Sequence, residues 1–186
     1  MADKKNELIK AFPSELEDDV MKILYTINPK NKLDFSHCFE VNFCGNKLVI
    51  PERIYYDGPL LSAPNSLTDM QQVILNCLFT RHHNGFIREK NLRNVIHRSK
   101  EYNWVIPYIL RLAGEYVIEI LQVIEDNMNE FEKISMKRFI TNNPRFFNLI
   151  ESQMVSYWDC YYRDKYPSKE DYVGFAIMKY LRSLLN

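Results

Sequence analysis

The residues with the clearest potential for chemistry are two adjacent histidines, His82 and His83. Glu115 and Glu119 lie four positions apart on a predicted central helix, which would place both carboxylates on one face. Two imidazoles and two carboxylates would suit a transition metal inside a helical bundle. Such bundles also pair Glu with His three positions apart on one helix, and that pair is missing here. We therefore favour the alternative, in which Arg81 and both histidines hydrogen-bond the last carbonyls of a helix, and we predict no metal and no cofactor.

The other reactive side chains do not form a recognisable catalytic motif. The sequence contains none of the short patterns typical of phosphate loops, zinc proteases or serine hydrolases. In a predicted hairpin, Cys38 and Cys44 lie about 20 Å apart, too far for a disulfide or a shared metal. Cys77 lies on an apolar helix stripe and is expected in the core. The absence of a C-x-x-C pair and of a signal-like N-terminal apolar run favours a cytoplasmic location.

The positions of the charged residues along the chain are more informative about function than the net charge. The 24 basic and 24 acidic residues cancel, which argues against a generally basic nucleic-acid binder. Residues 81–100 nevertheless carry six basic residues against one acidic residue. Four of them form a candidate anion-binding site: Arg81, Arg88, Lys90 and Arg93. Few aromatic rings are interleaved with these charges, so nucleic acid is the weaker interpretation, and we expect the segment to pair with acidic residues of 115–132.

The third candidate site is an aromatic run near the C-terminus. Residues 157–166 alternate aromatic rings with charged groups, and four consecutive helical positions cover nearly the whole helix circumference. Some rings must therefore face outward or meet another element. The candidate interface comprises five residues: Tyr157, Trp158, Tyr161, Tyr162 and Arg163. The alternative, which carries more weight, is that these rings pack intramolecularly against a final helix through Tyr172 and Phe175.

The N-terminal third must provide one helix and one hairpin. Ser14 and Glu17 form a capping-box pattern ahead of a short amphipathic helix that Asn28-Pro29 would end. Apolar and polar residues then alternate over 39–43, and a second strand follows Gly45-Asn46, a pair typical of a two-residue turn. The remainder, 51–66, is expected to be irregular.

From residue 67 onward every periodic segment is helical. Thr68 and Gln71 form a second capping-box pattern, and Asn84-Gly85 should end the helix that follows. The further predicted helices cover about 87–97, 104–126, 131–140, 143–163 and 167–184. Residues 84–126 are similar to one HEAT-type helix pair, entered through Phe86-Ile87-Arg88, and the resemblance covers about a quarter of the chain. It implies helix-pair packing and no particular activity.

These observations predict a mainly α fold with about six helices and one small β-hairpin near the N-terminus. We expect a single domain over 1–186, with a helix, hairpin and irregular segment in 1–66 and a helical body in 67–186. The apolar stretch 104–124 is interrupted by charges, so no membrane span is predicted.

The preferred function is a non-catalytic, intracellular interaction module that binds a protein partner or itself. That preference follows from the lack of a catalytic motif and from the aromatic run. The alternatives are a metal- or ligand-binding bundle enzyme that uses the two histidines and two glutamates, and a nucleic-acid-associated protein that uses segment 81–100.

Overall fold

The computed structural model describes residues 2–27, 33–58 and 67–186 of the chain. This part of the chain is mainly helical, with nine α-helices and four short strands, so the prediction of a helical fold with a small hairpin is confirmed. The expected number of about six helices is wrong. The chain divides into two compact units, Met1–Asn94 and Val95–Asn186, which are described separately below. The prediction of one domain over 1–186 stays a prediction.

In unit 1, two helices precede the strands along the chain, α1 (Ala2–Ile9) and α2 (Glu17–Thr26). Two more follow the strands, α3 (Asp69–Phe79) and most of α4 (Gly85–His97). The predicted capping box at Ser14 is wrong, because Ser14 begins a short 3₁₀ turn and its hydroxyl donates to Asn46 Oδ1 instead. The second predicted capping box, Thr68 with Gln71, is confirmed. The Asn28-Pro29 helix stop and the segment 59–66 lie outside the described residues.

The predicted hairpin is confirmed with a different turn. Strands β2 (Cys38–Phe43) and β3 (Asn46–Pro51) pair antiparallel, with Phe43 opposite Asn46. The two-residue loop is therefore Cys44-Gly45, both at positive φ, as a type I′ turn requires, and not Gly45-Asn46. Cys38 consequently lies opposite Pro51, and both hairpin cysteines are free and exposed.

A second sheet occupies part of the region that was expected to be irregular. Strand β1 (Leu33–Phe35) pairs antiparallel with β4 (Ile54–Tyr56). Each strand has only three residues, which is too short for alternation to be visible in the sequence. Ile54 also forms a parallel bridge with His82, so the chain after α3 returns to this sheet.

Unit 2 contains the remaining helices: α5 (Ile106–Ala113), α6 (Ile118–Asp126), α7 (Lys133–Asn142), α8 (Pro144–Tyr157) and α9 (Val173–Ser183). The single helix predicted over 104–126 is wrong, because the chain leaves the helix at Gly114 and starts again at Ile118. A Cβ on Gly114 would lie 2.9 Å from Gln153 Oε1 and 3.4 Å from Ile150 Cα, so the glycine allows α8 to approach. The stretch 84–126 thus contains three helices and not a HEAT-type pair.

The core of unit 2 is built around α5 and the contact between α8 and α9. Tyr108, Ile109 and Leu112 of α5 are fully buried. A Cβ on Gly174 would lie 2.6 Å from the Tyr172 ring and 2.8 Å from Met154 Cγ. The glycine therefore lets α9 start close against α8, which sets the width of the surface between them.

Within residues 2–27, 33–58 and 67–186, no helix combines the length and the apolar composition needed to span a bilayer.

Candidate protein-binding groove

The aromatic run of residues 157–166 leaves α8 through a wider helical turn. Helix α8 ends at Tyr157, and Trp158–Tyr162 continue it as a π-helix. Such a turn inserts extra backbone into the helix and redirects the following side chains, and it often occurs at functional sites. The side chains of the five candidate interface residues consequently lie in three different surroundings: an inward-facing pair of rings, an exposed tyrosine cluster and an open groove.

Trp158 and Tyr162 take the inward positions. The Trp158 side chain is buried, and its indole N–H donates to the Tyr166 carbonyl at 2.9 Å. The Tyr162 ring stacks on Tyr172 with centroids 5.2 Å apart, and its hydroxyl donates to the Tyr116 carbonyl at 2.6 Å. Burial raises the pKa of Tyr162 above its ordinary value. For these two rings the intramolecular interpretation matches the observed contacts.

Tyr157 and Tyr161 instead form an exposed cluster with Tyr116. The three ring centroids lie 5.9 to 6.1 Å apart. Tyr161 is 66% exposed and Tyr116 is 50% exposed, so the cluster presents aromatic surface to solvent. Tyr116 lies in the break between α5 and α6, which sequence periodicity had placed inside a helix.

Arg163 and Trp158 contribute to an open groove between α8, the segment after the π turn and α9. The first hollow of this groove has a volume of about 830 Å³. It is lined by residues of three kinds: polar groups of α8 (Asn148, Ser152 and Ser156), the apolar side chains of Val155 and Trp158, and the ionic groups Glu151, Asp159, Arg163, Lys169 and Arg182. We call this surface, with the hollow described next, the α8–α9 groove.

A second hollow of about 480 Å³ continues the groove along α9. It is lined by Phe175, Met178 and Lys179, and it shares Glu151, Val155 and Arg182 with the first hollow. Because three residues belong to both hollows, the two hollows adjoin. The lining of the second hollow extends from Phe175 to Asn186, so the combined groove is elongated along α9.

Ion pairs organise the walls of the groove. Arg182 Nε donates to Glu151 Oε1 at 2.6 Å, which links α9 to α8, and the carboxylate raises the pKa of Arg182. Arg163 Nη1 donates to Asp159 Oδ1 at 2.7 Å, one turn back along the chain. Both carboxylates of the groove are thus already bound by arginines.

The two lysines of the groove are arranged differently. Lys169 Nζ lies 5.3 Å from the Trp158 ring and 5.5 Å from the Phe175 ring. Lys179 is exposed on α9. Among the described residues, neither lysine has a carboxylate within ion-pair distance, although the charge of Lys169 interacts with the neighbouring Glu170. Both ammonium groups therefore keep their hydrogen-bond donors for a ligand.

Sequence reasoning identified Trp158 and Arg163 but missed the rest of the groove. Asn148, Ser152 and Ser156 recur at four-residue spacing, a helical signal for one polar face that was present in the sequence. Lys169 and Arg182 carry no such signal, because only the approach of α9 to α8 brings them to this surface.

The candidate anion-binding residues do not form one exposed basic face. Arg81 and Arg88 are 0% and 1% exposed. The Arg81 side chain donates to the Pro51 and Glu52 carbonyls, and Arg88 Nη1 donates to the carbonyls of residues 82 and 83. Lys90 and Arg93 are exposed, but Arg93 is paired with Glu89 at 2.9 Å.

The pairing of an arginine or lysine of 81–100 with an acidic residue of 115–132 stays a prediction, and the contact that the structure shows between these two stretches is made by a histidine. His97 Nδ1 lies 2.9 Å from Glu130 Oε2, and both groups are partly exposed. The next basic residue, Arg98, pairs with the neighbouring Glu101 at 3.4 Å.

The expectation for the two histidines is also corrected. Helix α3 ends at Phe79, and buried His82 lies in the bridge to β4, where its Nε2 bonds the Tyr56 carbonyl and its Nδ1 accepts from the Asn84 N–H. His83 is exposed and stacks on Tyr55. Neither imidazole therefore caps the end of α3.

The two glutamates do not share a helix face. Glu115 is buried in the connection after α5, whereas Glu119 is exposed in the first turn of α6. Across the described ranges, no three His, Cys, Asp or Glu side chains are grouped closely enough to hold a metal ion. Cys77 is buried, as predicted for a core residue.

Comparison of the chain with protein-family models, with curated proteins and with solved structures finds no match. The function therefore has to be argued from the side chains of the groove.

Proposed function

We propose that this chain is a protein-interaction module and that the α8–α9 groove is its binding site for a protein partner. The observation that carries the proposal is the elongated shape of the groove, in which hollows of about 830 and 480 Å³ share three residues. An open, elongated surface suits a polypeptide segment, whereas small-molecule sites enclose most of the ligand.

The composition of the walls supports the same proposal. Arg is enriched at protein interfaces, and the groove presents Arg163, which lies over the buried Trp158 ring, together with Arg182 of α9. Side chains held by existing contacts lose little conformational freedom when a ligand arrives. The Arg182–Glu151 pair and the Trp158–Tyr166 hydrogen bond provide that preorganisation.

Hydrogen-bonding groups line the floor at regular intervals. Asn148, Ser152 and Ser156 follow α8 at successive turns, and their polar side chains face the first hollow. The Ser152 hydroxyl donates to the Asn148 carbonyl at 2.8 Å and keeps lone pairs for a ligand N–H. Such a row can meet the backbone groups of an extended segment.

A test of the proposal is selection of a random dodecapeptide library, displayed on phage, against the full chain. The variant Ser156→Trp fills the first hollow from an exposed position, and Lys137→Trp places the same ring on an exposed site of α7 outside the groove. We expect selected peptides to bind Ser156→Trp at least about tenfold more weakly, while Lys137→Trp binds them as the native chain does.

Circular dichroism of both variants checks that the helical content is preserved. Failure to enrich any peptide, or enrichment of peptides that bind native chain and Ser156→Trp equally, would overturn the groove as a protein-binding site.

A further inference from the structure

We infer that the segment bound by the α8–α9 groove is acidic and extended, with its carboxylates placed against Lys169 and Lys179. This inference rests on the proposed function and specifies the chemistry of its partner.

The first step of the argument is the charge balance of the groove. Its ionic side chains comprise two carboxylates, Glu151 and Asp159, and four cations, Arg163, Lys169, Lys179 and Arg182. Each carboxylate is bound to one arginine at 2.6 or 2.7 Å. The positive charge that remains for a ligand therefore belongs to the two lysines, and a segment with the opposite charge complements it.

The second step concerns Trp158, which lies under two cations. Arg163 Cζ is 5.6 Å and Lys169 Nζ is 5.3 Å from its ring. The indole ring attracts both cations, but the cations repel each other, and of the two only Arg163 has a carboxylate within ion-pair distance among the described residues. A carboxylate supplied by the partner would neutralise Lys169 without displacing an existing ion pair.

The third step is the separation of the two lysines along the groove. Lys169 lines the first hollow and Lys179 lines the second, with Glu151, Val155 and Arg182 common to both. A single small anion cannot occupy both hollows, whereas an extended segment can place one acidic residue in each. Apolar side chains of such a segment would meet Val155, Phe175 and Met178 between its charges.

The experiment measures fluorescence anisotropy of two dye-labelled dodecapeptide pools with the full chain. The pools are identical except that one carries Asp and Glu at alternate positions and the other carries Asn and Gln there. We expect the acidic pool to bind at least about tenfold more tightly, and its affinity to fall as NaCl rises from about 50 to about 300 mM.

Charge-matched variants locate the effect. Lys169→Gln with Lys179→Gln should lower the affinity for the acidic pool at least about tenfold. The control, Lys133→Gln with Lys137→Gln, removes the same charge from exposed positions of α7 and should change the affinity less than about twofold.

Each contrary outcome has a separate meaning. Equal binding of both pools, lost in Ser156→Trp, would overturn the acidic partner and leave the interaction groove standing. An equal loss of affinity in the Lys169/Lys179 double variant and in the Lys133/Lys137 control would also overturn the acidic partner. A short DNA duplex that binds more tightly than the acidic pool, through Lys169 and Lys179, would replace the protein partner with nucleic acid. Failure of both pools together with the phage library would overturn the proposed function itself.

Discussion

Two sets of basic residues, one in each unit, show how differently the same residue types can be used. In unit 1, Arg81 and Arg88 are buried, and their guanidinium groups donate to the backbone carbonyls of Pro51, Glu52 and residues 82 and 83. Arg81 also lies 3.6 Å from the Glu52 carboxylate and over the Phe39 ring, both within unit 1. In unit 2, the cations of the α8–α9 groove are exposed: Arg163 and Lys169 lie over aromatic rings, Arg182 lies beside a carboxylate, and Lys179 lies on the outer face of α9.

The two sets differ in whether the N–H groups of the basic side chains already donate to carbonyls of the protein. A buried guanidinium that bonds several carbonyls stabilises the chain that surrounds it, and its removal leaves polar groups unsatisfied. An exposed cation above a ring keeps most of its donors for solvent or for a ligand. Unit 1 thus uses its arginines as internal connectors, whereas unit 2 presents its cations at a surface.

The largest expected effect is the loss of a buried connector. Arg81→Ala leaves the Pro51 and Glu52 carbonyls without their donors and opens a void in the core of unit 1. We expect the free energy of unfolding to fall by about 3 kcal/mol, measured by urea denaturation. Arg93→Ala removes an exposed arginine paired with Glu89, and it should cost less than about 0.5 kcal/mol. A similar decrease in the free energy of unfolding for Arg81→Ala and Arg93→Ala would show that burial does not distinguish stabilising arginines from exposed ones.

A smaller, pH-dependent effect on stability is expected at His82, another buried residue of unit 1. Burial is the main cause that lowers the pKa of His82, and the charges of His83 and Arg88 add to it, while the hydrogen bond to the Tyr56 carbonyl and the charge of Asp57 oppose it only in part. The folded state therefore keeps His82 neutral at a pH where the unfolded chain takes up a proton. Stability is unaffected well above the ordinary pKa of about 6.5 and falls as the pH drops below it, by up to about 1.4 kcal/mol per pH unit.

Urea denaturation between about pH 8 and pH 5 measures this slope. His82→Gln should reduce the slope because the side chain no longer titrates, whereas His83→Gln should retain most of it, because the charge of His83 is a smaller cause of the lowered His82 pKa than burial. An unchanged slope in His82→Gln would assign the pH dependence to other groups.

The smallest expected effect is on the stability of the groove variants. Lys169→Ala and Lys179→Ala remove exposed cations without carboxylate partners among the described residues, so the free energy of unfolding should change by less than about 0.5 kcal/mol each. Thermal and urea denaturation check this value. A loss above about 2 kcal/mol would place these lysines with Arg81 and Arg88, as connectors and not as ligand contacts.

Local signals in the sequence predicted a large part of the fold. The Thr68–Gln71 capping box, the hairpin and two helices were predicted from cap residues, alternation and periodicity. The helices predicted over about 87–97 and 143–163 are observed at Gly85–His97 and Pro144–Tyr157. These signals succeed because the interactions behind them lie within a few residues of each other.

The failures occur where distant residues compete with local preference. Gly114 ends α5 inside an apolar stretch because α8 approaches it closely. Ser14 bonds Asn46 and not the start of α2. Half of the candidate site was missed for the same reason, since Lys169 and Arg182 reach the groove only through the packing of α9.

By itself, the sequence determined the helical class, the hairpin, the core position of Cys77 and the concentration of aromatic and basic residues at 157–166. Cap geometry and the periodicity of apolar residues are sufficient for these features. Only the tertiary structure decided which cations are buried and which are presented to solvent. That distinction depends on whether a carbonyl from a distant strand, or a ring from a neighbouring helix, lies within reach of each side chain, and residue spacing alone does not encode it.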